Sequence, residues 1–342
     1  MVSKLGTTPF AVLEFDEGRG GFTMSIARQF LRRLVPMVAI VLIATFLLSL
    51  LMRLLPGDPA AIMVPNSPVE VRDQIAAETG LDRGVFGYYW KWLSDLLTGN
   101  FGKYYLNGGY REISTVIKET LPVTLLLILY AQIVALCLAI PLGLTSAYKE
   151  GKRFDRITST VMFTTVSFPG FALALIMSLI FAVKLGWVDP IGYISPTENL
   201  GEHLKLMILP VLSLAIGLSS GYTRLLRTDV IATLKDDYVT MAASKGISNR
   251  RVLWRHVFRP SSTTLLTSAA LNMGGLIGGT IVIETIFVIP GIGFEIFYSI
   301  GARQVVAMQT LIALIAIGYV FFNTMVDLLT QITDPRTRER RA

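Results

Sequence analysis

The sequence predicts an all-α membrane protein of six transmembrane helices, with a small helical insertion between helices 1 and 2. Three observations predict it. Of 342 residues, 52% are hydrophobic and only 16% charged, against roughly 25% charged in soluble domains. Six stretches lack Asp, Glu, Lys and Arg altogether: Leu34–Met52, Leu121–Tyr148, Ile157–Val183, Leu206–Thr223, Pro260–Ile283 and Gln304–Val326. Each is long enough for a hydrocarbon core of about 30 Å, which takes about 20 apolar residues. Finally, Lys and Arg are distributed unevenly among the connecting segments. Segments 149–156, 224–259 and 327–342 hold sixteen, while 184–205 and 284–303 hold three. By the positive-inside rule the first set faces the cytoplasm, and an even number of spans puts both termini there.

In chain order, residues 1–23 are expected to be a disordered cytoplasmic extension, and 24–54 the first span with its basic flank. The first apolar run starts only at Leu34 and no A-x-A site follows it, so it does not read as a cleaved signal peptide. Residues 55–120 form the expected external insertion, entered through the rigid turn Pro56-Gly57-Asp58-Pro59. One helix should open at Ser67-Pro68 and close at Gly80. A second amphipathic stretch should place Phe86, Tyr89, Trp90 and Leu93 on one face. That face reads either as a cap on the bundle anchored at the membrane interface or as a surface receiving an external protein. Residues 121–328 make the five-helix core, with Pro141, Pro169 and Pro210 expected to kink their spans, and 329–342 a basic cytoplasmic tail.

The chemistry the spans lack is informative. They hold no ionisable carboxylate or amine, the groups that proton-coupled carriers use at membrane depth. Gln132, Asn272 and Asn323 are expected to make interhelical hydrogen bonds, and Gly274, Gly275, Gly278 and Gly279 to allow close helix packing. Cys137 is the single cysteine, so no disulfide can form within the chain. His203 and His256 are far apart and have no cysteine partners, so no zinc site is expected. The net charge of +7 is a topology signal, which argues against nucleic acid as a partner. No G-x-x-x-x-G-K-[ST] segment cradles a phosphate. An energy-using role therefore needs a separate nucleotide-hydrolysing partner and a place for it to dock.

Segment 224–259 offers that place. Thr233 or Asp236 can cap a short helix carrying Asp237, Tyr238, Thr240, Met241, Ala242, Ala243 and Lys245, which Gly246 ends in the left-handed region. Ser248 can cap a second helix running through Phe258. Arg251, Arg255 and Arg259 recur there on one side, with Leu253, Trp254, Val257 and Phe258 on another. Such a knob suits a helix-in-groove contact; equally, its arginines could reach lipid headgroups from a solvated loop.

This segment resembles the coupling loop of ABC-importer permeases, E-A-A-x-x-x-G. Aligned on Gly246 it matches the last alanine at Ala242, while Thr240 stands at the glutamate. The closer resemblance is to the oligopeptide/dipeptide permease family, through Tyr238-Val239, Ala242, Lys245-Gly246, Ser248, Arg250 to Leu253 and Arg255-His256. Further family-like motifs follow in order over residues 24–340: Arg53-Leu54-Leu55-Pro56-Gly57-Asp58-Pro59-Ala60, Gly80-Leu81-Asp82-Arg83, Ile140-Pro141-Leu142-Gly143, Glu284-Thr285-Ile286-Phe287 with Pro290-Gly291-Ile292-Gly293, and Asp334-Pro335-Arg336.

The resemblance implies a type I importer bundle in the plasma membrane of a bacterium or archaeon. It implies a heterodimer with a homologous second permease subunit, and one or two cytoplasmic ATPase subunits that bind ATP and Mg and contact the loop around Thr240–Gly246. An extracytoplasmic solute-binding protein would deliver di- or oligopeptides, or alternatively nickel chelates or another small solute. The chain itself would be non-catalytic and carry no cofactor. Two other classes stand beside this reading. A self-sufficient carrier or channel would show inverted repeats or intramembrane charges, and a membrane-embedded enzyme would show clustered His, Asp, Glu or Ser at depth.

Overall fold

A computed structural model describes residues 35, 38–51, 54, 57–106 and 109–333. The expected extension 1–23, the Arg53 and Pro56 of the first motif, and Asp334-Pro335-Arg336 of the basic tail lie outside these residues.

The described residues are helical almost throughout. In order come α1 (Val38–Leu51), α2 (Pro59–Met63), α3 (Val69–Thr79), α4 (Val85–Leu97), strands β1 (Lys103–Leu106) and β2 (Gly109–Glu112), then α5 (Ile113–Tyr148) and α6 (Arg153–Ser167). There follow α7 (Gly170–Met177) with a π-helical turn Ser178–Lys184, α8 (Leu200–Leu234), α9 (Asp237–Ser244) and α10 (Asn249–Arg251). A second π-helical segment, Val252–Val257, leads into α11 (Phe258–Phe287), and α12 (Ile292–Gly301) and α13 (Val305–Thr333) are the last described elements.

Four of these are long and apolar enough to cross a membrane: α5, α8, the rod Asn249–Phe287, and α13 over Val305–Val326. α6 and α7 with its turn make a fifth crossing if the bent pair counts as one. Two expectations are corrected here. The stretch Ile157–Val183 is broken rather than kinked, by 102°. Pro169 lacks an N–H and pushes its predecessor out of the helical region, and Phe168 accordingly sits at ψ 130°. Pro141 and Pro210 lie inside unbroken helices. The helical fold also carries one strand pair that the expectation lacked: β1 and β2 pair antiparallel with Tyr105 opposite Tyr110. Segment 284–303, expected as a connection, folds its own helix α12.

α5 runs about 54 Å at 1.5 Å per residue and so separates two ends of the molecule. At the hairpin end, Tyr88, Trp92, Tyr104, Ile113, Ile292 and Val306 form one buried core. At the other end, Leu144, Leu226, Val230, Val239 and Val257 form another. Between them, Leu127, Met207, Ile283 and Phe287 join α5, α8 and α11.

In the insertion, α3 begins at Val69 with Pro68 at its N-cap, and Gly80 ends it at φ +78°. The expected face of α4 is split. Phe86 and Trp90 are 77% and 71% exposed, while Tyr88, Tyr89 and Trp92 turn inward. Polar tips choose that face. Tyr88 OH donates to Gln309 Oε1 (2.9 Å), Trp92 Nε1 to Thr310 Oγ1 (3.0 Å) and Tyr89 OH to the Leu42 carbonyl (2.9 Å). β1 is held similarly, because Gln304 binds both backbone groups of Tyr105, at 3.0 and 2.6 Å.

Glu284 explains the 284–293 motif. Its carboxylate accepts from Thr124 Oγ1 (2.8 Å) and from the Phe294 N–H (3.1 Å) in the first turn of α12. Thr124 in turn accepts the Ile292 N–H (2.9 Å). A Cβ on Gly291 would come within 2.4 Å of that carboxylate, so the position requires glycine.

Of the polar residues expected to bond between helices, Gln132 pairs with Tyr222 OH (3.1 Å). Gly274 packs against α13, where a Cβ would meet Asn323 Oδ1 at 3.2 Å, but Gly275, Gly278 and Gly279 face open space among the described residues. Among the described residues, only the first of these four glycines serves close packing.

Candidate functional site

The segment 224–259 is more helical than a loop. α8 continues to Leu234, and the residues from Asn249 onward run into α11. The connection proper is 235–248, built around α9. The carbonyl of Asp236 receives the N–H groups of Val239 (3.0 Å) and Thr240 (3.3 Å), which starts α9. Gly246 at φ +76° ends it. Positive φ costs a residue with a Cβ through the clash with its own carbonyl, so glycine belongs there.

α9 has two faces. Val239 and Ala242 are buried in the core formed with Leu144 and Ala147 of α5, Leu226 and Val230 of α8, and Val252 and Val257. Asp237, Tyr238, Thr240, Met241, Ser244 and Lys245 are exposed. Ala243 lies on the helix, but its side chain is outside the described ones. The structure therefore sorts the expected site residues: Ala242 anchors α9, while its neighbours form an outward ridge. Partial burial, and next the carboxylate of Asp236, push the Tyr238 phenol above its ordinary pKa, so it stays neutral at physiological pH.

The second helix also departs from the expected pattern. Ser248 occupies the N-cap without a side-chain cap bond, and residues 252–257 are π-helical. A π-helix bonds i to i+5, so Val252 and Val257, five apart, both turn into the core, while Trp254 is exposed and packs edge-on against Phe258 at 5.5 Å. Arg251, Arg255 and Arg259 remain exposed beside the ridge of α9, as does Ser248.

Two contacts outside the sequence reading fix this connection to the body. Asn249 Nδ2 donates to Tyr148 OH at the end of α5 (2.8 Å), and Ser261 Oγ donates to Thr233 Oγ1 (3.0 Å). Thr233 is thus a tether on α8 and not a cap. Nothing in this arrangement assembles a nucleophile, base or metal ligand set. Among the described residues no group of three His, Cys, Asp or Glu gathers. What it does assemble is an exposed ridge, keyed through Val239 and Ala242 into two long helices.

Residues 139–339 match the family of binding-protein-dependent transport system inner membrane components. Residues 26–128 match that system's N-terminal membrane component. A Brucella abortus protein named as a peptide transport system permease is 34% identical over 90% of this chain and 98% of its own length. An oligopeptide transport system permease protein of Bacillus subtilis is 32% identical over 91% and 99%. A nickel import system permease protein of Staphylococcus aureus is 30% identical over 92% and 93%.

Proposed function

The chain belongs to the family of binding-protein-dependent transport system inner membrane components, and on that premise we propose that it forms, with a homologous second subunit, the path for di- and oligopeptides handed over by an extracytoplasmic binding protein. It is a multi-pass membrane permease of an ABC importer, non-catalytic, with ATP hydrolysis in partner subunits.

The finer reading is as follows. α1 and its flanks make the first of six spans and the bent α6–α7 pair the third. Both termini face the cytoplasm of a bacterial or archaeal cell, and α2–α4 with the hairpin face outward. α9 meets one or two ATPase subunits that hold ATP and Mg, through Asp237, Tyr238, Thr240, Met241, Lys245 and Gly246, with Ser248, Arg251 and Arg255 beside them. Ala242 and Ala243 belong to the same helix, Ala242 as its anchor. The observation that carries this reading is the split of α9, whose buried Val239 and Ala242 lock an otherwise solvent-facing ridge onto α5 and α8. Closure of the ATPase pair would then rotate the bundle as a body.

Replacing Met241 with Glu should abolish ATP-driven uptake and release the ATPase subunits, while the permease stays inserted; co-purification and a vesicle uptake assay measure both. Solute movement by a purified assembly that contains no ATP-hydrolysing protein would overturn the reading. The nickel permease relative keeps nickel chelates as a second substrate class. Thermal shift of the cognate binding protein with dipeptides, longer peptides and nickel chelates separates these.

A further inference from the structure

The fully buried contacts of α6 lie in its first turns, while Ser159, Met162 and Thr165 further on are half-buried. Only Asp155 and Thr158 among its residues are buried, whereas Ile157, Val161, Phe163 and Val166 stand exposed. Asp155 is 4% exposed, and its carboxylate is saturated by four donors. Arg227 Nε reaches Oδ1 at 2.6 Å and Arg227 Nη2 reaches Oδ2 at 2.8 Å, the parallel fork that suits guanidinium and carboxylate. Ser146 Oγ donates to Oδ1 at 2.5 Å and the Gly151 N–H to Oδ2 at 2.9 Å. One carboxylate thereby ties together the end of α5, the α5–α6 turn, α6 and α8.

The same stretch of α8 carries the anchor of α9. Leu226 and Val230, on either side of Arg227, pack with Val239 and Ala242 in one core. A displacement of α9 thus reaches α8 through packed side chains, and reaches α6 through the ion pair. Beyond Pro169 the chain turns by 102° into α7, whose Ala174 and Met177 are buried, so α6 links the ion pair directly to that packed helix.

We propose that the Asp155–Arg227 pair is a positioning element that makes α6 move as one body with α9, delivering the stroke received at the coupling ridge to the third crossing. The proposal rests on the importer reading above. It differs from a purely structural role in what it predicts. A structural pair only keeps the subunit folded, whereas a positioning pair fixes the ratio of solute moved to ATP hydrolysed. It is also a geometric device, because Lys in place of Arg227 keeps the charge and loses the fork.

The test uses the whole reconstituted importer with Cys137 replaced by Ser. Spin labels are placed at T160C on α6 and D236C immediately before α9, both exposed positions. Pulsed EPR reads their separation without nucleotide and with a non-hydrolysable ATP analogue. With the pair intact the distance should be the same in both states. In Asp155→Asn and Arg227→Lys it should broaden and become state-dependent, with solute moved per ATP falling about ten-fold and ATP hydrolysis held within about two-fold. A distance that changes with nucleotide while the pair is intact would overturn the proposal. So would wild-type coupling in both variants, and so would failure of both to assemble, since the pair would then serve folding alone. These outcomes are separable from failure of the importer reading, which would appear in the parent complex as uptake indifferent to ATP.

Discussion

At the scale of single residues, Glu284 shows how a carboxylate buried in the last turn of a membrane-crossing rod can be architectural. It starts α12 by accepting the Phe294 N–H and binds Thr124 on α5. Replacing it with Ala strands both donors, and each buried orphan costs about 1–3 kcal/mol. The purified subunit should accordingly melt well below the parent in a detergent thermal-shift assay. Gly291→Ala should act in the same direction, because its Cβ would fall 2.4 Å from Glu284. By contrast, a Cβ at Gly246 meets open space and only the positive φ opposes it. There Ala should cost about 1 kcal/mol and leave insertion intact. The left-handed glycines at 80 and 246 were legible, because each follows a periodic stretch. The partnership of Glu284 was not, since Thr124 lies 160 positions away.

Among the elements, the hairpin and α4 mark where pattern reading stops. β1 and β2 flank Asn107-Gly108, the dipeptide favoured in two-residue hairpin turns, so a signal for them was present. For α4 the aromatic positions were legible but not their direction. Phe86 and Trp90 share a face with hydrophobic spacing, yet Tyr88 and Trp92 are inside because α13 offers them Gln309 and Thr310. Periodicity sees apolar area and is blind to a hydrogen-bond partner on a distant helix. Gln304→Ala should loosen the hairpin by roughly 1–3 kcal/mol, since it frees both backbone groups of a buried Tyr105. Amide exchange at Tyr105 reports it. Loss of the exposed Lys103–Glu78 pair at 2.6 Å should change little, because exposed ion pairs contribute about 0–1 kcal/mol.

Taken as a whole, the molecule was most legible in its class. Charge-free stretches follow directly from the absence of water in a bilayer, and four long helices with one bent pair fall on them. The importance of Asp155 and Arg227 was hidden, because both lie in segments whose sequence speaks mainly through their count of positive charge. Orientation has a direct check. With Cys137 replaced, a cysteine at Glu198 should react with an impermeant maleimide in intact cells and one at Lys235 only after permeabilisation. The reverse pattern would invert the arrangement proposed above.

The break at Phe168-Pro169 lies near the middle of an apolar stretch of sequence, and the local backbone is incompletely paired. Among the described residues, Phe168 N–H reaches the Thr165 carbonyl, and Ala172 and Leu173 N–H reach that of Pro169. The hydroxyls of Thr164, Thr165 and Ser167 already donate one turn back, to Thr160, Val161 and Phe163. The remaining carbonyls at the close of α6 and amides at the opening of α7 have no intrahelical partner, and hydrocarbon can offer none. Where this elbow meets the bilayer, water, lipid headgroups or neighbouring polypeptide must satisfy those groups.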